Sequence, residues 1–212
     1  MNGAPYRCAL VTALILALLA GCATPPSSFY ALTPMPGAAG RASGLSGGRL
    51  AVGLGPVAFP QFLDRPQIVS RDGTNRLSLD EFHRWGGSLQ DDFLRVWGEN
   101  LAALLETSRI LVLPSDVRAP VDFRIQATVL GFEGTPNREA VLKVRWVVQE
   151  GQGDGVLAAR EDRYACPLRQ GGGEEALVAA LSECLGAFSR DVADVVHGLP
   201  KPVPLAGAVE AL

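Results

Sequence analysis

The most regular pattern in the chain is an alternation of apolar and polar residues over 121–129, which is typical of a strand with one buried face. The apolar positions are Val121, Phe123, Ile125, Ala127 and Val129. The alternation changes phase at Leu130, beside a glycine, which predicts a β-bulge. Residues 139–150 alternate in the same way, and a glycine-rich turn leads into a further strand-like segment at 156–166. The three segments predict an antiparallel meander.

Two segments, 88–106 and 174–197, have apolar residues at helical spacing. Ser88 and Asp91 resemble a capping box at the start of the first segment, and two glutamates open the second, where the helix dipole favours negative charge. In the first helix we expect three residues to be buried against a sheet: Phe93, Trp97 and Leu101. The apolar face of the second consists of Leu177, Leu181, Cys184, Phe188, Val192 and Val195.

The other strand-like segments are 49–59, a predicted hairpin over 66–79 with its turn at Asp72–Gly73, and the short apolar run 110–113. A helix crossing between residues 49–59 and 110–113 permits these two strands to pair in parallel. The sequence therefore predicts a single-domain α/β fold. Its mixed β-sheet contains one parallel pair plus the antiparallel meander, and two amphipathic helices pack on it.

The first 21 residues have the features of a cleaved signal peptide. Arg7 supplies a basic start, and residues 8–20 form an apolar run that is shorter than the roughly 20 residues needed to span a bilayer. The run ends in Leu19–Cys22 (LAGC), which resembles the bacterial lipobox. In that motif the cysteine thiol receives a diacylglycerol before cleavage in front of it, so we expect lipidation at Cys22, including palmitate. An uncleaved anchor or an ordinary secretory signal with an incidental cysteine is the alternative.

These features predict a lipid-anchored protein facing the periplasm. An aspartate after the acylated cysteine would favour the inner membrane, and because Ala23 stands there, we expect the outer membrane. Residues 22–48 are rich in Pro, Gly, Ala and Ser, which predicts a flexible tether with a reach of roughly 25–30 Å, apart from an edge strand at Phe29–Leu32. The folded domain is expected over 49–197 and a disordered tail over 198–212.

The four cysteines fall into two pairs, one near the start of the chain and one in the predicted domain. Cys8 lies in the signal peptide and Cys22 in the lipobox, which leaves Cys166 and Cys184 in an oxidising compartment. One ends a predicted strand and the other lies on the buried face of the second helix, which predicts a disulfide. Two buried free thiols are the alternative, and a metal pair lacks further ligands.

Composition excludes several function classes. The 212-residue chain has a formal net charge of −3, and its 19 Lys and Arg form no basic stripe, so nucleic-acid binding is not expected. Two histidines are too few for a histidine-rich metal site. A G-x-G-x-x-A match at 53–58 lacks the following helix that dinucleotide binding requires, and a G-x-S-x-G match at 44–48 precedes a strand instead of following one. The sequence predicts no cofactor and no enzyme activity.

The segment Phe82–Trp85 contains one of the two histidines and is the strongest remaining candidate for chemistry. His83 could serve as a general acid or base, but no nucleophile is evident beside it. Packing before the first helix, or contact with a partner protein, is the alternative. The acidic pairs Asp91–Asp92, Glu161–Asp162 and Asp191/Asp194 are interpreted as solvated faces and caps.

Several of these residues form a recognisable set. The run PQFLDRPQIVSR at 60–71, followed by Leu77, His83–Trp85, Phe93 and Asn100–Leu101, resembles the signature of the ABC-type transport auxiliary lipoproteins, which serve membrane integrity and intermembrane lipid transport. Phe29–Leu32 resembles the start of these proteins after the lipobox. The resemblance covers about 22–197, whereas the long Gly/Ala/Ser segment and the cysteine pair depart from the pattern.

The resemblance implies an α/β domain without enzymatic activity. It also implies that the chain works at the outer membrane with a mammalian-cell-entry (MCE) protein and the associated transporter subunits, and homo-oligomers are compatible with it. A structural lipoprotein that ties envelope layers together, or an envelope hydrolase, is the competing hypothesis. The partner surface expected from the aromatic and basic cluster and the turn beside it comprises Asp64, Arg65, Pro66, His83, Arg84 and Trp85.

Overall fold

A computed structural model describes residues 25–38, 50–113, 120–135, 138–153, 155–169, 171 and 173–200. This part of the chain forms eight strands and two helices, and each helix follows four consecutive strands. The strands are β1 (Ser28–Tyr30), β2 (Val52–Ala58), β3 (Gln67–Asp72), β4 (Arg76–Trp85), β5 (Ile110–Val112), β6 (Phe123–Thr135), β7 (Glu139–Glu150) and β8 (Val156–Pro167). The helices are α1 (Leu89–Leu104) and α2 (Gly173–Gly198). The predicted signal peptide, Cys22 and residues 201–212 of the predicted tail lie outside the described residues.

The long strand β6 organises the sheet. One of its edges pairs with β7 in the antiparallel meander β6–β7–β8, and the predicted bulge is present as a register shift between Val129 and Gly131. Its other edge pairs in parallel with β2 and, at Ser70↔Gly134, with β3. The mixed α/β sheet is therefore confirmed, as are the β3–β4 hairpin and the parallel β2–β5 pair.

The sheet holds more parallel pairs than the single pair predicted, because β2–β6, β3–β6 and β1–β4 are also parallel. The alternation of polar and apolar residues gives the face of a strand but not its neighbours. β2 lies inside the sheet between β5 and β6, and five of its seven residues are buried. β5, whose wholly apolar sequence is typical of an interior strand, instead forms an edge and leaves Val112 45% exposed.

The two helices pack against each other and on the sheet, with α1 over β2 and β5 and α2 over β6, β7 and β8. Ser88 is the N-cap of α1, and its side chain accepts a hydrogen bond from the backbone N–H of Asp91 at 3.2 Å. Phe93, Trp97 and Leu101 are fully buried, as predicted. Among the described residues, no helix has the length and apolar character that crossing a membrane requires.

Residues 25–38 differ from the predicted flexible tether. After β1, whose presence confirms an edge strand in the predicted region, the chain packs on both helices, and Leu32 is only 2% exposed. The backbone N–H of Leu32 donates to Asp92 Oδ2 at 2.6 Å, and that of Met35 donates to Asn100 Oδ1 at 2.8 Å. The composition of the segment predicts flexibility, but the side chains of Asp92 and Asn100, 60 and 65 positions away, hold its backbone, so residues 32–35 pack against the domain.

Candidate functional site

The predicted partner surface lies at one end of the β3–β4 hairpin. Backbone hydrogen bonds from Leu63 to Pro60 and from Asp64 to Gln61 shape the turn before β3, and the buried Leu63 fixes it to the core. The backbone N–H of Trp85 donates to the carbonyl of Pro66 at 2.7 Å, and the first residue of β3 pairs with Arg84. The structure thus brings together two segments that the sequence separates by about twenty positions.

The six predicted residues differ in accessibility. Trp85 is only 5% exposed and packs into the core, so its indole supports the end of β4. Asp64 and Pro66 are exposed. Arg84 exposes 37% of its side chain, and its Nε donates to the carbonyl of Glu81 at 2.9 Å. A partner can therefore reach the turn and the Arg84 guanidinium, but not the tryptophan.

His83 lies between two carboxylates from different elements. Its Nδ1 is 2.9 Å from Asp80 Oδ2, and its Nε2 is 3.8 Å from an oxygen of Glu174 in the first turn of α2. The hydrogen bond to Asp80 raises the pKa of His83, while partial desolvation opposes the shift and the charge of Glu174 adds to it. Desolvation opposes the shift at Asp80 too, but hydrogen bonds from His83 and two backbone N–H groups lower the pKa of this carboxyl.

This arrangement links strand and helix. One oxygen of each carboxylate and one nitrogen of His83 lie within 4.8 Å of one another, so the three residues could in principle share a cation. The carboxylates, however, approach opposite nitrogens of the same ring, which makes His83 a bridge between β4 and α2. Within the described chain, no serine, threonine or cysteine side chain hydrogen-bonds to either nitrogen of the His83 ring.

Sequence reasoning missed both carboxylate partners. Asp80 lies three residues before His83, and a bulge on β4 brings them together: Gln67 pairs with Arg84, while the next residue of β3 pairs with Asp80. The only local indication is an acidic residue near a histidine, which is common by chance. Glu174 is 91 positions away, and only the packing of α2 places it there.

A cleft of about 430 Å³ adjoins this region between the end of β1 and the start of α1. Its lining includes Tyr30, Trp85 and Asp92. Asp92 is already engaged by Arg95 Nη2 at 2.6 Å and by the backbone of Leu32. Asp92 therefore holds Leu32 against the first turn of α1, whereas Ser88 is the N-cap of this helix.

Cys166 and Cys184 are joined in a disulfide, with 5.8 Å between their Cα atoms. The bridge fastens the end of β8 to α2 across 18 positions. A closed loop of this size contributes about 3 kcal/mol in the chain-entropy model. Both cysteines are buried, which indicates a role in stability.

Comparisons with known proteins agree with this fold. In solved structures, an uncharacterised protein matches with a TM-score of 0.65 and 18% identity, covering 81% of this chain and 99% of its own. Protein XCC0632 from Xanthomonas campestris matches with a TM-score of 0.60 and 17% identity, covering 81% and 96%. No relative was found among curated proteins.

The sequence also matches a family model over residues 30–193, a range that runs from the last residue of β1, through the hairpin, α1 and the meander, to within α2. The matched model is that of the ABC-type transport auxiliary lipoprotein component. Because the match covers most of the chain, this protein belongs to the ABC-type transport auxiliary lipoprotein family.

Proposed function

We propose that this protein is a non-enzymatic docking subunit of an MCE-type intermembrane lipid transport system. Cys22 carries the acyl anchor, the domain faces the periplasm from the outer membrane, and the Asp64–Pro66 turn together with Arg84 receives the partner. The observation that carries the proposal is the joining of these two segments, both part of the family resemblance, into one accessible surface at the end of the hairpin.

A docking protein needs only an accessible surface that binds the partner and an anchor that holds it at the membrane. A hydrophobic cargo that passes between a periplasmic conduit and the outer membrane would expose apolar area to water, at a cost of about 25 cal/mol per Å². A protein that holds the end of the conduit against the membrane removes that exposure without chemistry. His83, which lies between the carboxylates of Asp80 and Glu174, is better explained as a structural link in a docking protein than as a catalytic residue of a hydrolase.

Replacing Cys22 by alanine is expected to abolish incorporation of labelled palmitate, because the thiol that receives the acyl group is lost. Labelling of cells that express each variant, followed by purification of the protein, measures this effect. A Cys8→Ala variant is the control and keeps its label, because that cysteine lies in the signal peptide. Labelled Cys22→Ala protein would contradict the anchor assignment.

Reversing two charges on the proposed surface, with Asp64→Lys and Arg84→Glu in one variant, is expected to abolish co-purification of the MCE partner after crosslinking. Both side chains are accessible, so the free energy of unfolding should change by no more than about 0.5 kcal/mol per site. Mass spectrometry of the crosslinked membranes identifies the partner. The same cells should show the membrane-integrity defect of a gene deletion.

The matched control reverses Arg169 and Glu183, an exposed pair that lies 3.9 Å apart between the end of β8 and α2. This variant should retain the partner. If both variants retain it, the binding surface lies elsewhere. If no MCE protein crosslinks to the unmodified chain and its deletion causes no defect, the structural tether between envelope layers replaces the transport role.

A further inference from the structure

The link between the anchor and the folded domain is short. Only two residues separate Cys22 from Pro25, where the described chain begins, and β1 starts at Ser28. Six residue steps therefore join the acylated cysteine to the sheet, and fully extended they span at most about 20 Å. Pro25 and Pro26 favour an extended, semi-rigid path for part of this distance. The domain is thus held at the bilayer by the edge that contains β1.

The direction of the link selects one side of the domain. β1 runs parallel to β4, with Ser28 level with His83 and Tyr30 level with Trp85. The chain before Ser28 consequently arrives from the side of β4 that leads back to the hairpin turn. That part of β1 and β4 is the first surface that the membrane meets.

β1 and β4 also carry most of the exposed large apolar side chains in the described part of the chain. Five large hydrophobic side chains in the described part of the chain are exposed, and three of them lie on these two strands. Phe29 is 68% exposed, Leu79 40% and Phe82 37%. The other two, Val112 and Val156, lie on β5 and β8. Single exposed apolar residues need no explanation, but a group of three beside the anchor does.

We propose that Phe29, Leu79 and Phe82 form a membrane-contact patch that rests on the lipid bilayer in which Cys22 is anchored. This inference rests on the acylation of Cys22 within the proposed function, and it does not depend on the identity of the transport partner. Aromatic side chains suit the boundary between headgroups and acyl chains. Because the short link keeps the patch close to the bilayer, the effective concentration of the patch at the membrane is high. A modest apolar area is therefore enough for the domain to rest on the lipid.

The patch borders the proposed docking surface. Phe29 on β1 pairs with Arg84, and Phe82 lies two positions before Arg84 on β4. Leu79 pairs with Val69, nearer the hairpin turn, whereas the Asp64–Pro66 turn lies beyond Gln67 at the other end of β3. The docking turn is therefore separate from the patch, while Arg84 lies at the boundary between the two surfaces.

Tryptophan fluorescence tests the proposal directly, because the three native tryptophans, Trp85, Trp97 and Trp146, are each at most 5% exposed. Phe29→Trp and Leu79→Trp each add an exposed indole in the patch, and Val156→Trp adds one on β8 as the matched control. Each full-length variant is purified from membranes and reconstituted into phosphatidylethanolamine and phosphatidylglycerol vesicles containing dibrominated phosphatidylcholine. Intact mass establishes that Cys22 is acylated, and thermal unfolding establishes that the fold is retained.

The added indoles of Phe29→Trp and Leu79→Trp are expected to show blue-shifted emission, at least about two-fold weaker than in unbrominated vesicles, since a patch at the headgroup boundary lies within reach of the bromines. The indole added by Val156→Trp should remain unquenched. Quenching of Phe29→Trp alone would overturn the proposal, because the link keeps residue 29 near lipid without contact from the hairpin. Equal quenching in all three would also overturn it. If intact mass shows that Cys22 is not acylated, the anchor assignment itself is refuted before any fluorescence is compared.

Discussion

Truncation of Trp97 to alanine is expected to lower the free energy of unfolding by about 3–5 kcal/mol, one of the largest effects available in the fold. The Trp97 indole is fully buried in α1 at the contact between the two helices. It stacks on Phe188 of α2 with 4.9 Å between ring centroids and meets Phe93 edge-on at 6.2 Å. Alanine would leave a cavity at the point where helix α1, helix α2 and the sheet converge.

Denaturant unfolding of the oxidised protein measures this loss, and Leu79→Ala is the control because that side chain is 40% exposed on β4. Leu79→Ala should change stability by no more than about 0.5 kcal/mol. Trp97→Phe should lower the free energy of unfolding less than Trp97→Ala does, since phenylalanine leaves a smaller cavity. The substitution also removes the buried indole N–H of Trp97, which has no acceptor among the described residues. A loss below about 1 kcal/mol for Trp97→Ala would mean that the helix face is not packed as described.

The elements that the sequence predicts well are those with a local cause. The meander follows from strict alternation, and the bulge follows from the phase change at Leu130. Helix α1 follows from its apolar spacing and from the cap at Ser88. In each case neighbouring residues carry the information, because side-chain direction in a strand or helix repeats with a fixed period.

The features that escaped prediction depend on distant residues. β2 lies between β5 and β6 because of the order in which strands join the sheet, and nothing within residues 52–58 specifies that order. The packing of residues 31–35 depends on the buried Asn100 and on Ser182, which accept backbone N–H groups of Met35 and Thr33. A proline-rich composition is typical of a free tether, but these acceptors, together with Asp92 and the burial of Leu32, make the segment part of the domain.

In the candidate site, too, features with a local cause could be predicted, whereas contacts between distant residues could not. The family resemblance singled out the turn and the cluster, and the structure places them side by side. It also shows that Trp85 is a core residue and that His83 is paired with two carboxylates, neither of which can be predicted from the linear sequence. An aromatic or a histidine in a charged cluster has the same local pattern whether it faces a partner or the core.

The hairpin that carries both proposed surfaces has a narrow junction with the rest of the sheet. β3 pairs with β6 at the single position Ser70↔Gly134. Beside it, Arg71 donates from Nε at 2.9 Å and from Nη2 at 2.7 Å to one oxygen of Glu133, whose side chain is only 10% exposed. The ion pair therefore reinforces a junction that few backbone hydrogen bonds hold.

Replacing Arg71 by methionine should consequently destabilise the protein by about 2–3 kcal/mol, because it leaves a nearly buried carboxylate without its partner charge. The double variant Arg71→Met/Glu133→Leu should recover most of this loss, since apolar residues can replace a buried ion pair without a net penalty. Denaturant unfolding of both variants gives the coupling between the two sites. Amide hydrogen exchange should accelerate in β3 of Arg71→Met while β7 stays protected, because the opening is local to the junction.

Arg145→Met provides the comparison. Arg145 on β7 also forms an ion pair with a glutamate, Glu161, at 2.7 Å, but the side chains are 62% and 37% exposed. Water solvates both partners there, so its loss should cost less than about 1 kcal/mol. If Arg71→Met and Arg145→Met cost equally little, the junction is held by backbone pairing and apolar packing alone. A large loss confined to Arg71→Met would establish that one buried charge fixes the hairpin, and with it the membrane-contact patch and the docking turn, to the body of the domain.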